Sequence, residues 1–178
     1  MTEFLIPMND VPNEYTKLDE SKLYVCRITG VEITKTGQDS KNPGEPMIKT
    51  TLEVRLPLDW EGKSMNTFLL LPLAPTPLDS TSQRRSKLER GVRLRQFMEN
   101  AELKWTPQGF STDDWIGAEV GCTIRNEEGR SGDIFSSPKK FMPASVARDA
   151  IAKTEAGVGP GDTSLLQGVT TPGGDQGI

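Results

Sequence analysis

From Lys22 onward, apolar and polar positions alternate in short runs separated by turn residues, a period-2 pattern that predicts strands. In Lys22–Thr34 (KLYVCRITGVEIT), Tyr24, Cys26 and Ile28 share one face, and Val31 with Ile33 resume the alternation one position out of phase around Gly30. A glycine at such a slip predicts a β-bulge or sharp bend. Long first strands that bend this way are how small barrels close. Lys35–Glu45 (KTGQDSKNPGE) reads as a flexible polar connection. A second strand, Met47–Leu56, sets Ile48, Thr50, Leu52, Val54 and Leu56 against Lys49, Thr51, Glu53 and Arg55 on the other side. Asp59–Gly62 makes a turn, and a third strand, Lys63–Leu71, stops at Pro72.

The period then changes. Between Ser82 and Ala101 the apolar residues Leu88, Val92, Leu94, Phe97, Met98 and Ala101 fall at helical spacing. Ser80 or Ser82 is placed to cap this helix, and Gly91 weakens it by about 1 kcal/mol relative to alanine. Asp113–Gly117 leads into a fourth strand, Ala118–Asn126, with Val120, Cys122 and Ile124 as its inward set. The loop Glu127–Gly132 (EEGRSG) predicts a hairpin into a fifth strand, Asp133–Ser137, resuming after Pro138 through Phe141. The order β-β-β-α-β-β is that of an OB-fold, a mainly β, five-stranded barrel with one helix between strands three and four. An SH3-like barrel is the structural rival but normally lacks a helix of this length there. In the OB arrangement strand one neighbours strand four, so Cys26 and Cys122 are expected on adjacent strands. Three regions follow: an N-terminal arm, 1–21, with Phe4, Leu5 and Ile6 as its apolar patch; an OB-fold domain, 22–143; and 144–178, a short helical piece and a Gly/Pro-rich tail expected to be disordered. No internal repeat is present.

Composition sharpens this picture. Of 178 residues, 34% are hydrophobic and 6% aromatic, with 17 glycines and 13 prolines, which suits a turn-rich β domain with unstructured flanks. No apolar run is long enough for a transmembrane helix, and Met1–Asp10 lacks the features of a secretory signal. The two cysteines read as buried reduced thiols of a cytosolic protein rather than a disulfide or metal pair. The net charge of −4 divides unevenly: residues 1–21 carry one lysine against five acids, residues 22–143 carry 18 basic against 16 acidic residues, and residues 144–178 carry two against four. The acidity thus lies in the tails, and the mildly basic domain is compatible with a phosphate backbone.

Histidine is absent, which removes the commonest general base and zinc ligand, and no P-loop, dinucleotide fingerprint or Cys-x-x-Cys occurs. Asp113-Asp114 and Glu127-Glu128 are adjacent pairs that point to opposite faces of an extended chain, so they do not suggest a two-metal site. No enzyme activity and no cofactor are therefore expected. The helix cations Arg84, Arg85, Lys87, Arg90, Arg93 and Arg95 read first as a solvated outer face. An OB-fold binds ligands across strands two and three, between the first-second and fourth-fifth loops. Those elements offer the cations Lys35, Lys41, Lys49, Arg55, Lys63, Arg125, Arg130, Lys139 and Lys140 and the aromatics Trp60, Phe68 and Phe135. Cations neutralise a nucleic-acid backbone, while aromatic faces stack bases. Phe68 and Phe135 read as core slightly more readily than as stacking platforms, since one residue of register exchanges their faces. Trp60, in a turn, is expected to be exposed.

The succession "LYVCRITGVEIT", "GEPMIKTTLEV", "WEGKSMNTFLLLP", "RLRQFMENAEL" and "DDWIGAEVGCTIRNEEGRSGDIFSSPKKFMP" resembles the bacteriophage single-stranded DNA-binding proteins once catalogued as a phage domain of unknown function. The resemblance covers roughly residues 22–143 and lies in the order and spacing of segments. It implies an OB-fold in the host cytoplasm, binding single-stranded DNA with little sequence preference during phage replication or recombination. It further implies self-association on the strand and replication or recombination partners reached through the tails. The chain departs from that pattern at its end, Pro172–Ile178, which carries a single acid where such proteins are strongly acidic. The competing reading is an OB-fold protein–protein module, a virion component or replisome adaptor that does not bind nucleic acid.

Overall fold

A computed structural model describes residues 17–41, 43–129 and 131–157. The expectations for the arm before Lys17 and for the tail from residue 158 lie outside them. The strands are β1 (Leu23–Lys35), β2 (Pro46–Leu56), β3 (Ser64–Leu70), β4 (Glu119–Glu128) and β5 (Ile134–Met142). The helices are α1 (Thr81–Glu89), α2 (Val92–Asn100) and α3 (Ala144–Glu155). All strand pairs are antiparallel, in one mixed α/β arrangement whose sheet order is β3-β2-β1-β4-β5. Among the described residues no helix is long and apolar enough to cross a membrane.

β1 sits at the centre because it bends. Its pairing with β2 slips between Ile28 and Gly30, where the pattern predicted a bulge. A Cβ on Gly30 would lie 3.2 Å from Thr51 Oγ1, so glycine allows the two backbones to close at the bend. Beyond the slip the expected alternation fades. Val31 packs at the edge of the core, but Ile33 is exposed, because the far ends of β1 and β2 project past the helix that covers the inner face. Cys26 and Cys122 do lie on adjacent strands, as buried free thiols whose sulfurs are 3.9 Å apart. Mutual hydrogen bonding and burial push the Cys26 thiol well above its ordinary pKa, which keeps it protonated.

The single helix expected over Ser82–Ala101 is two. Ser80 caps α1 through a reciprocal capping box with Gln83. α1 buries nothing, whereas α2 buries Leu94, Phe97 and Met98. The break falls at Gly91, whose missing Cβ makes room for Pro72; a Cβ there would meet the proline ring at 3.0 Å. An ion pair between Arg90 and Glu45 holds the junction to the end of the β1–β2 loop. Freed from α1, α2 turns its apolar side onto the sheet. Phe97 meets Phe141 edge-on at 5.0 Å and Trp115 at 5.7 Å.

The expected barrel does not close: β3 and β5 are both sheet edges and do not pair with each other. Two features of β5 explain this. Pro138 has no N–H to donate to an edge partner. Arg93 reaches from α2 and donates to the carbonyls of Pro138 at 2.6 Å and Lys139 at 3.2 Å, taking acceptors that a neighbouring strand would use. A bulge between Thr123 and Ile124 also lets β5 run through Pro138 as one strand, where two pieces were expected.

α3 packs on the outer side of β1 and β4, with Ala147 and Ile151 over Val25, so the folded body extends past residue 143. Arg148 and Arg27 (3.4 Å) hold Glu119 from either side. Burial raises the Glu119 carboxyl pKa, but the hydrogen bonds and charges of the two arginines outweigh it and hold the group below its usual range. Under α3 lies Gly121, where a Cβ would stand 2.6 Å from Ala147 Cβ and 2.8 Å from Met142 Cγ. Gly121→Ala should therefore lift α3 and cost about 1–3 kcal/mol, as overpacking does. The check is the urea midpoint, and an unchanged midpoint would mean that α3 is not seated as described.

Candidate nucleic-acid interface

The gap left by the unclosed sheet is a cleft of about 820 Å³ between β3 and β5. β3 alternates strictly: Met65, Thr67 and Leu69 point into the core, which forces Asn66 and Phe68 outward. Phe68 stands on one wall, 51% exposed, and Phe135 of β5 on the other, 50% exposed. The expectation that these two rings belong to the core is thus corrected. The core positions of β3 go to its odd-numbered residues, and Phe135 falls beyond the reach of α2 on a sheet edge. Two half-exposed rings lining one cleft are an unfavourable surface for water and a favourable one for a flat aromatic ligand.

Basic groups surround the rings. Lys17, Lys63, Arg93 and Arg125 line the cleft, against Glu127 and Asp133. Arg125 is paired with Glu127 at 2.9 Å, while Lys63 has no ion-pair partner among the described residues. Arg93 lies 4.9 Å over the Phe141 ring and, among the described residues, bonds to carbonyls and to no carboxylate. Burial, and then the nearby Arg125 charge, lower its pKa, with Glu127 opposing. A guanidinium remains charged there, and its half-buried setting strengthens its field toward the cleft.

Four of the twelve residues singled out from the sequence thus meet in one place: Lys63, Phe68, Arg125 and Phe135. Lys49 is the cross-strand neighbour of Phe68 on the outer face of the sheet, but it faces Glu32 at 3.5 Å. Arg55 is held by Glu53 (3.2 Å) and Glu61 (3.0 Å). Lys35 and Lys41 lie at the end of β1 and in the following loop, and Lys139 and Lys140 on β5, all exposed and outside the cleft lining. Arg130 lies outside the described residues. Trp60, expected to be exposed, is half-buried against the core in a short 3-10 turn, Leu58–Trp60, and does not line the cleft.

Two cleft cations escaped the sequence reading. Arg93 was grouped with the solvated helix face, yet it stands four residues before Phe97 and therefore on the buried side of α2, a spacing that could have revealed it. Lys17 was assigned to the arm, and only the tertiary course of the chain brings it to the cleft.

A second, smaller hollow of about 330 Å³ lies on the other side of α2, lined mainly by apolar groups including Leu88, Val92, Met98, Trp105 and Phe110. Arg95 covers the Trp105 ring at 5.0 Å. Among the described residues, no group of three or more His, Cys, Asp or Glu side chains converges on a point that would hold a metal ion. No family model, curated protein or solved structure matches the chain.

Proposed function

We propose that this chain is a single-stranded DNA-binding protein of a bacteriophage, acting in replication or recombination through the cleft between β3 and β5 of an OB-type sheet. The strand order β3-β2-β1-β4-β5, with α1 and α2 inserted between β3 and β4, supports the OB-type reading, since an OB-fold is a partly open five-stranded barrel. The observation that carries the functional reading is the pair of half-exposed rings Phe68 and Phe135 lining one groove together with Lys63, Arg93 and Arg125. Every base has a π-face and every linkage a charge, so rings and cations together hold a strand without reading its sequence. No donor or acceptor array for a particular base is needed.

The test is fluorescence anisotropy of labelled oligo-dT across a salt series. Binding should weaken with salt at a log–log slope of about −0.7 per phosphate contacted, and Lys63→Gln should reduce that slope by about one such increment. A salt-independent affinity, or none at low salt, would remove this reading.

The second reading, a protein–protein module, is favoured by the apolar hollow beside α2, whose lining leaves Leu88 54% and Val92 49% exposed. The two readings separate experimentally, because Val92→Asp spoils the hollow and leaves the cleft rings and cations in place.

A further inference from the structure

The hollow beside α2 takes no part in the cleft, and among the described residues Arg95 is the one charged group in its lining. Helical spacing builds one of its sides. Arg84, Leu88, Val92 and Arg95 follow one another at steps of four, four and three, so they run along one face. The backbone carries that face past the end of α1, because Gly91 N–H donates to the Leu88 carbonyl and Arg95 N–H to that of Gly91. The pattern is an apolar pair with an arginine beyond each end. Trp105 and Phe110 flank a turn closed by two backbone hydrogen bonds between Thr106 and Gly109, and both rings are exposed. With Leu88 and Val92 they line one hollow, an apolar surface of the kind that marks a binding site.

Neither arginine is tied up by the fold. Arg84 donates to the carbonyls of Asp79 at 3.2 Å and Pro77 at 3.4 Å and, among the described residues, to no carboxylate. Arg95 pairs with Glu99 at 2.8 Å, an exposed pair of a type that stabilises little in water. We propose that this hollow docks an acidic segment of a partner protein. One large apolar side chain of that segment sits among Leu88, Val92, Trp105 and Phe110, and carboxylates on either side of it meet Arg84 and Arg95. A volume of about 330 Å³ stands at the lower end for ligand pockets, which suits a single anchoring side chain. The helical rise from Arg84 to Arg95 is roughly 16 Å, so the two carboxylates lie about five residues apart in an extended segment. A second copy of this chain fits less well, because a twofold contact turns the face onto itself and sets arginine against arginine. Nucleic acid also fits less well, since its backbone needs cations along its length. The inference rests on the protein-module reading, to which it gives a partner chemistry, and is independent of oligo-dT binding in the cleft.

The experiment selects displayed random peptides on the full chain and then titrates the enriched peptide by fluorescence anisotropy. Enriched sequences should carry a large apolar residue flanked by aspartate or glutamate. Val92→Asp and Trp105→Ala should each weaken the enriched peptide about tenfold, as loss of an anchoring contact does. Arg95→Gln should weaken it about fivefold, and less so at high salt. All three positions are exposed, and an unchanged urea midpoint identifies the variants that fold. Basic or purely polar winners, no enrichment, or equal binding to the natural chain and its folded variants would overturn the proposal. Excess oligo-dT should leave the peptide bound; displacement would assign the hollow to nucleic acid and overturn it. A dimer in sedimentation equilibrium that Val92→Asp abolishes would overturn it in favour of a second copy. If oligo-dT binds nowhere while the acidic peptide binds as described, the DNA reading fails and the docking site stands.

Discussion

Replacing Phe68 and Phe135 together by alanine should weaken oligo-dT binding about a hundredfold while leaving the fold intact. Stacking one base on an aromatic ring contributes about 1–3 kcal/mol, so each lost ring near the lower end of that range costs roughly tenfold. The rings stand on opposite walls, so they serve different bases and their losses should nearly add. Stability should change little, because both side chains are half in water already and neither belongs to the core. Trp105→Ala is the matched control: an exposed aromatic away from the cleft, whose loss should leave affinity unchanged. The measurement is anisotropy titration of all variants at one salt concentration. If the double variant binds like the natural chain, the cleft is not the binding surface.

Phe97→Ala should produce the largest loss of stability, about 3–5 kcal/mol. The ring is wholly buried and touches both Trp115 and Phe141, so it fastens α2 to the loop before β4 and to β5 at once. A net stability of 5–15 kcal/mol is typical of a domain, so such a loss consumes a large share of it. Leu88→Ala makes the comparison, since Leu88 lies on a helix that buries nothing, and its urea midpoint should move little. Phe97→Ala should also loosen Arg93, one helical turn away, and so weaken nucleic-acid binding beyond what unfolding explains. A midpoint shift no larger than that of Leu88→Ala would mean that α2 does not anchor the sheet.

The strands were legible in the chain because each buries one face, so period 2 is written into the residue types. Tyr24, Cys26 and Ile28, the slip at Gly30, and the neighbouring positions of Cys26 and Cys122 followed from that alone. The helix was legible as a stretch but not as two pieces. The cost of Gly91 is local and visible, whereas the ring of Pro72 that occupies its missing side chain comes from 19 residues earlier in the chain.

Sequence alone thus determined the strand set, the order of elements and the residue types available for binding, since these depend on local periodicity and composition. Tertiary structure decided which of those residues share a site. Whether Phe68 faces core or solvent depends on a single residue of register, which only the pairing of β3 with β2 settles. Whether the sheet closes depends on which groups compete for the β5 carbonyls, and Arg93, from an element 45 residues away, takes them. Most of the other cations are spread around the fold or held by carboxylates, because ion pairing between strands is set by register and not by proximity in the chain. The cleft is therefore a product of failed closure: edges left apart by Pro138 and Arg93 expose two rings and the charges between them.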